Sequence, residues 1–330
     1  MKTRTLLAAC VLAVCLSVSA TAQTVRIAKQ FGISYLPLIV MQEEHLLEAE
    51  GKLRGLSLTA EFLTISNGPS INDALISGGL EFASGGVGPM LTIWGKTHAN
   101  LRVKGLAALN AMPIWLNTRN PNVHTIRDFT EGDRIALPAV KVTIQSIVLE
   151  MAAAQAFGQV TYDRLDSLTV SLGHPDAFAA LMTFRSEIDS HFTSAPYQYE
   201  ELEDPRIHRV LNSYDVLGGP HTFNVVWITS QYHNANPGIV AAFLAALDRA
   251  QKLIRSDPQR AAVLYARNEA SKIPVAKIAA MVALPENEWI MEPKRVMQFA
   301  TFMNTTGAVT IKPESWKDLF FPDIHGMDGN

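Results

Sequence analysis

Cysteine is almost missing: the 330 residues hold two, Cys10 and Cys15, both within the first 22. Once that segment is removed, no thiol is left for a disulfide, for thiolate catalysis or for a Cys-ligated metal. Charge is sparse as well, at 18% of residues and a formal net charge of −3, and Lys and Arg form no cluster. Nucleic acid and anionic membranes are therefore not favoured as partners. The G-x-S-x-G, G-x-G-x-x-G and G-x-x-x-x-G-K-[ST] patterns do not occur. Nucleophile-elbow hydrolysis and dinucleotide or nucleotide phosphate binding thus have no support. Nine histidines occur, but no two share the H-x-x-x-H spacing that places two ligands on one helix face. The expectation is no cofactor and no metal. What remains, at 48% hydrophobic residues, is an ordinary globular chain long enough for one large or two average domains.

The start of the chain has the three parts of a secretory signal. Lys2 and Arg4 precede an apolar run from Leu6 to Val18, and Ala20-Thr21-Ala22 supplies the small-residue exit before Gln23. At about 13 residues the run is shorter than the roughly 20 that span a bilayer. Leu7-Ala8-Ala9-Cys10 resembles a lipoprotein processing site, but too few apolar residues precede it, so lipid anchoring ranks second. Cleavage after residue 22 would remove Lys2 and Arg4 and take the net charge from −3 to −5. The expected location is the periplasm.

Beyond Ala22, strand and helix patterns alternate. Strands are predicted at Val25–Ala28, Leu58–Ile65, Leu80–Ala83, Arg134–Leu137 and Leu168–Ser171. Helices are predicted at Leu36–Leu47, Ile71–Ile76, Met90–Trp94, Ile144–Phe157 and Asp176–Phe184. Past Asn236-Pro237 the chain reads as mainly helical to about Phe302. The alternation implies an α/β fold with mixed, mostly parallel sheets flanked by helices. No repeat, low-complexity tract or flexible tether interrupts it.

Similar turns follow the strand candidates: Phe31 to Pro37, Ser66 to Ser70, Gly85 to Pro89, Gly173 to Asp176, and Thr193 to Pro196. Each combines small or hydroxyl residues with a proline near the first helical position, where its missing N–H costs nothing. Helix starts of this kind present free N–H groups and the positive end of the helix dipole, which suits anions. In open α/β sheets such turns lie at the strand ends where ligands bind.

The run from Ser66 through Ile71-Asn72-Asp73-Ala74-Leu75-Ile76-Ser77-Gly78-Gly79 to Phe82 resembles a segment of the nitrate/sulfonate/taurine-type periplasmic substrate-binding proteins. Gly85-Gly86-Val87-Gly88-Pro89 resembles that family's next turn. Thr125 to Phe129, Asp133 to Pro138, Asp176 to Leu181 and Ile188 to Tyr197 resemble segments of its second lobe. The resemblance extends from Val25 to about Ile324. It implies the two-lobe, type II periplasmic binding protein fold, closing on a solute about a hinge of two crossing segments, near Ala107–Met112 and Tyr214–His221. Residues 1–22 would be the signal, 23–110 with 217–330 the first lobe, and 111–216 the second. It further implies a monomer that delivers a small anionic solute of the sulfonate, taurine or nitrate kind to the membrane permease of an ABC importer.

Two departures bear on the site. Ser194-Ala195 stands where the family carries Trp-Glu, beside His191, and Ala139-Val140-Lys141-Val142-Thr143 replaces a Gly-Ser turn. Lys141 would bring positive charge to the cleft. The expected ligand-binding residues are Phe31, Ser34, Tyr35, Ser66, Asn67, Gly68, Gly85, Gly86, Val87, Lys141, Val142, Thr143, His174, His191, Ser194, Pro196 and His221. Trp115, Phe192, Tyr197 and Trp227 are further aromatic candidates for the lining. No catalytic residue is expected; the alternatives are a secreted enzyme on the same scaffold and a sensor subunit. The related thiamin-precursor synthases share the fold but use a cysteine-rich iron motif that this chain lacks.

Overall fold

A computed structural model describes residues 22–184 and 186–330. The signal-peptide reading falls on residues 1–22, of which all but Ala22 lie outside the described residues. Ten strands are present among those described: β1 (Gln23–Lys29), β2 (Leu58–Thr64), β3 (Ala83–Gly86), β4 (Lys104–Ala108), β5 (Trp115–Thr118), β6 (Ile135–Leu137), β7 (Thr169–Ser171), β8 (Ser190–Thr193), β9 (His208–Asn212) and β10 (Asn224–Ile228).

β1 pairs in parallel with β2 in the register Val25↔Ala60, and a bridge between Ile27 and Phe82 attaches it to the segment leading into β3. β10 lies between β3 and β4, antiparallel to both. The resulting run is β2–β1–β3–β10–β4. The second sheet has the order β7–β6–β8–β5–β9, with β6 parallel to β7 and β8, and β5 antiparallel to β8 and β9. Both sheets therefore share one plan, a parallel trio and then a strand running the opposite way. That strand, β10 or β5, is in each case the first one reached from the other sheet.

The two connections run side by side. The segment between β4 and β5 pairs at Ala111 with Thr222 and, on its other side, with Glu288. Phe223 N–H donates to Asn110 O at 3.2 Å and Ile114 N–H to Ser213 Oγ at 2.9 Å, so the crossings are hydrogen-bonded along their length. The second crossing begins as a short helix, Ser213–Leu217, ended by Gly218 at positive φ.

Local signals explain most helices. Asn67 Oδ1 accepts from Ser70 N–H at 3.0 Å and starts the helix Gly68–Ile76, with Pro69 in its first turn. Thr143 caps Ile144–Phe157, and Gly158 ends it. Pro237–Ser256 turns the stripe Ile239, Val240, Phe243, Ala246, Leu247, Ala250 and Ile254 inward, onto the helices Leu36–Glu43 and Leu46–Leu53. The helix predicted over Leu36–Leu47 is broken in two, because His45 takes a left-handed conformation (φ 49°). The third strand sits later than predicted, at Ala83–Gly86, so Gly85 and Gly86 are strand residues and the following helix starts at Val87.

The core of the first sheet holds the turns in place. Phe82 stacks on Phe243 with ring centroids 4.2 Å apart. Trp227, on β10, is fully buried, and its indole N–H donates to Asn72 Oδ1 at 3.0 Å. Asn72 Nδ2 in turn donates to Pro89 O at 3.0 Å, which ties the helix starts at Gly68 and Val87 to one strand. Asn72→Ala leaves the buried Trp227 indole donor unpaired. It is expected to lower unfolding free energy by about 1–3 kcal/mol, seen as a lower urea midpoint at unchanged slope.

Candidate functional site

Turns from both sheets meet in one narrow cleft. From the first come Gln30, Phe31 and Tyr35 after β1, Gly68 after β2, Gly86 and Pro89 at the end of β3, and Phe223 and Asn224 leading into β10. From the second come Pro138, Thr143, Ile144 and Gln145 after β6, His174 after β7 and Ser194 after β8. The cavity they enclose is about 20 Å³, room for one or two water molecules.

Two glycines permit this closeness. A Cβ on Gly86 would stand 2.8 Å from Ile144 Cγ2 of the opposite side. Gly32, at φ 113° and ψ 164°, lies in backbone space essentially reserved for glycine, and a Cβ there would come 2.9 Å from Ala195 O. Next to it, Ile33 N–H donates to the same Ala195 O at 2.9 Å, a direct main-chain bond across the cleft.

Helix starts gather at the same place. Gly68 opens Gly68–Ile76, Gly86 is the N-cap of Val87–Thr97, Ile144 opens Ile144–Phe157 and His174 opens His174–Thr183. The lining contains no Asp, Glu, Lys or Arg. Hydrogen-bond donors are close at hand: Asn224 Nδ2 and Ser194 Oγ in the lining, with Ser34 Oγ beside them near Gly32, are buried without a partner. Tyr35 Oη donates to Asn224 Oδ1 at 3.4 Å, and burial raises its phenol well above the usual range.

Behind His174 runs a chain of buried polar groups. His174 Nδ1 lies 2.9 Å from His191 Nε2, and His191 Nδ1 lies 2.6 Å from Glu201 Oε1. Glu201 Oε2 accepts from Asn117 Nδ2 at 2.8 Å. On the cleft side, His174 Nε2 is 3.4 Å from Gln145 Nε2, and the Tyr197 ring stacks on the imidazole. Burial pushes both imidazoles towards the neutral form, His191 to about 3, and pushes the Glu201 carboxyl well above its ordinary value.

Of the expected residues, Phe31, Tyr35, Gly68, Gly86, Thr143, His174 and Ser194 line the cleft. Ser34, Gly85, Val87, His191 and Pro196 are buried around it. Ser66 and Asn67 stand before the helix start at Gly68, and Asn67 is occupied as its cap. Lys141 and Val142 are outside the lining. The Lys141 side chain is 70% exposed, with its Nζ 4.0 Å from Asp166, so it brings no charge to the cleft. His221 is away from it altogether: Nε2 meets Ser213 Oγ at 2.8 Å and Nδ1 meets Thr222 O at 2.9 Å, between the crossings. Trp227 and Phe192 are core residues, and Trp115 packs against Tyr199. Sequence reasoning missed Gln30, Pro89, Pro138, Ile144, Gln145, Phe223 and Asn224. All but the last two adjoin or fall within turns singled out from the sequence. Phe223-Asn224 precedes a strand that no alternation marks, since β10 is buried on both faces.

Two sheets of the same order, two crossing connections and a cleft between strand-end turns define the periplasmic binding protein fold. Solved structures agree over nearly the whole chain. The alkanesulfonate-binding protein SsuA from Xanthomonas axonopodis pv. citri, bound to MOPS, is 18% identical. It covers 89% of this chain and 96% of its own, with a TM-score of 0.69. The periplasmic aliphatic sulphonate-binding protein SsuA from Escherichia coli is 19% identical over 91% of this chain and 92% of its own, with a TM-score of 0.66. The periplasmic nitrate-binding protein NrtA from Synechocystis PCC 6803 is 16% identical over 90% and 84%, also with a TM-score of 0.66. No protein-family model matches the chain, and no curated protein matches it in sequence.

Two outcomes follow from this geometry. Gly32→Ala should cost about 1–3 kcal/mol in urea unfolding, because its backbone is strained for any L side chain. His221 is fully buried, and burial lowers its pKa from 6.5 to about 4. Below pH 6.5 the unfolded chain binds a proton that the folded chain refuses, so stability falls as pH drops from about 6.5 to about 4. The slope from this residue approaches 1.4 kcal/mol per pH unit at most. His221→Gln should remove that part of the slope in urea titrations at pH 7, 6 and 5.

Proposed function

We propose that the chain is the periplasmic solute-binding component of an ABC importer. In this reading residues 23–110 with 217–330 form one lobe and 111–216 the other, which agrees with sheet membership. They close on one small anion and pass it to a membrane permease. The observation that carries the reading is the convergence of four helix starts and three unpaired donor groups from both sheets on a cleft without a carboxylate. Each helix start favours a negative solute by about 0.3–1 kcal/mol, and more where water is excluded. With no Lys or Arg in the lining, donors and dipoles rather than a countercharge hold the guest. Sulfonate, nitrate-like and small carboxylate anions share that chemistry, and the nitrate- and sulfonate-binding neighbours fit it. A binder fits better than a hydrolase, since Ser194 Oγ has no histidine partner.

Thermal shift over nitrate, methanesulfonate, taurine, sulfate and acetate, with choline as a cationic control, tests the proposal. A ligand at about 100 times its Kd should stabilise the fold by about 2.7 kcal/mol. Gln145→Ala should weaken the best anion at least about tenfold, the loss expected for one hydrogen bond in a buried site. Stabilisation by choline alone, or by nothing in the set, counts against an anion site.

A further inference from the structure

We propose that Glu201, His191 and His174 form a proton relay that sets whether the cleft offers the anion a hydrogen-bond donor or an acceptor, so that capture is coupled to one proton. The proposal rests on the reading of the cleft as an anion site and names how that site is switched. Its basis is geometric. The three side chains are in series, at 2.6 and 2.9 Å, from a carboxyl closed off from solvent to an imidazole in the cleft lining. Each imidazole has one nitrogen facing the next member and one facing the previous, so the bonds must all point the same way.

Only two directions are consistent. With the proton present, it sits on Glu201 or, across the 2.6 Å contact, on His191. In either case His191 Nε2–H donates to His174 Nδ1, and His174 carries its own proton on Nε2, towards the cleft, where the Gln145 side-chain amide must turn its oxygen to accept it. With the proton gone, Glu201 is a carboxylate that accepts from His191 Nδ1–H. His191 Nε2 then accepts from His174 Nδ1–H, and His174 Nε2 is left with a lone pair towards the cleft. One proton, exchanged with solvent and stored at the far end of the relay, thus reverses the polarity of a group that lines the site. An anion binds the first state and repels the second.

The surroundings of Glu201 favour the protonated relay, whereas Gln145, whose amide nitrogen faces His174 Nε2, suits the other state until its side chain turns. Glu201 has Asn117 as its other partner, and no Lys or Arg contacts it among the described residues. Around His174 stand Gln145 from the helix Ile144–Phe157, Thr193 from β8 at 3.4 Å, and the neutral ring of Tyr197. Carboxylates on the elements around it include Asp176 in the first turn of the same helix, Asp189 before β8, Glu200 beside Glu201, and Glu269, which acts on Tyr197 and is paired with Lys29. A buried carboxylate with a single amide donor is costly, so burial raises the affinity of the relay for its proton. As pH rises through the apparent value of the relay, the donor state is lost and anion affinity should fall. The decline should approach tenfold per pH unit.

Glu201→Gln separates the alternatives. Its amide can accept from Asn117 and donate permanently to His191, which fixes the relay in the donor direction with no titratable group. Nitrogen-15 NMR of the histidine rings in the ligand-free protein, from about pH 5 to about pH 9, reads the tautomers directly, with His174→Gln used to assign the signal. The expected result is His174 protonated on Nε2 at low pH and on Nδ1 at high pH in the wild type, but on Nε2 throughout in Glu201→Gln. Titrations with nitrate and methanesulfonate in two buffers of different ionisation heat should show about one proton taken up per anion above the transition and none in Glu201→Gln. A His174 tautomer that does not change with pH in the wild type overturns the relay, whether or not the variant folds. So does anion affinity in Glu201→Gln that falls with pH as steeply as in the wild type. If His174 switches but neither anion binds, the relay stands and the reading of the cleft as an anion site fails.

Discussion

The first sheet is not complete without a strand supplied from beyond the second, and in each sheet the strand next to the crossings is held on both sides. β10 is hydrogen-bonded on both edges, to β3 and β4, and β5 likewise to β8 and β9. Removing either would expose two rows of backbone groups in the middle of a sheet, where unpaired N–H and C=O groups are costly. That requirement fixes two crossings side by side, and the crossings fix which strand ends face each other. The cleft is the space they leave. Its position follows from main-chain pairing, while its chemistry follows from the turns.

Much of this was legible in the sequence because turn chemistry is local. Asn67-Gly68-Pro69 and Thr143-Ile144 carry their caps within three residues, and the helix Ile144–Phe157 is found where its pattern places it. The resemblance added the arrangement of two lobes that no local pattern contains. What escaped was decided by tertiary packing. β5 and β10 are buried on both faces and show no alternation, so neither they nor Phe223 and Asn224 could be recognised. Gly85 and Gly86 read as a turn but form strand, since their lack of side chains serves close packing against Trp227 and Ile144. Lys141 looked like a ligand from its place beside a helix start. Its side chain turns outward because it follows a left-handed backbone at φ 66°.

The electrostatic character of the site differs from the expectation that Lys141 would bring positive charge to the cleft. The lining holds no Lys, Arg, Asp or Glu. Helix starts, amides and hydroxyls supply partial charges in a space with room for little water, where each counts for more than at a surface. On the proposed reading of the cleft as an anion site, weakly hydrated, delocalised anions would suit it better than small ions with tightly bound water, because the guest must leave most of its hydration behind. His174 is the one lining group whose charge lies within reach of a neighbouring acid, through His191 and Glu201.

The placement of β10 has a consequence for how the molecule is assembled. The sheet that begins at Gln23 is finished only by Asn224–Ile228, whereas the strands from Trp115 to Asn212 lie in one uninterrupted stretch. The middle stretch can condense by itself. The outer part must wait with an open gap between β3 and β4 until almost the whole polypeptide is present. A chain of this design settles its middle part first and closes its outer sheet only once residues 224–228 have been made.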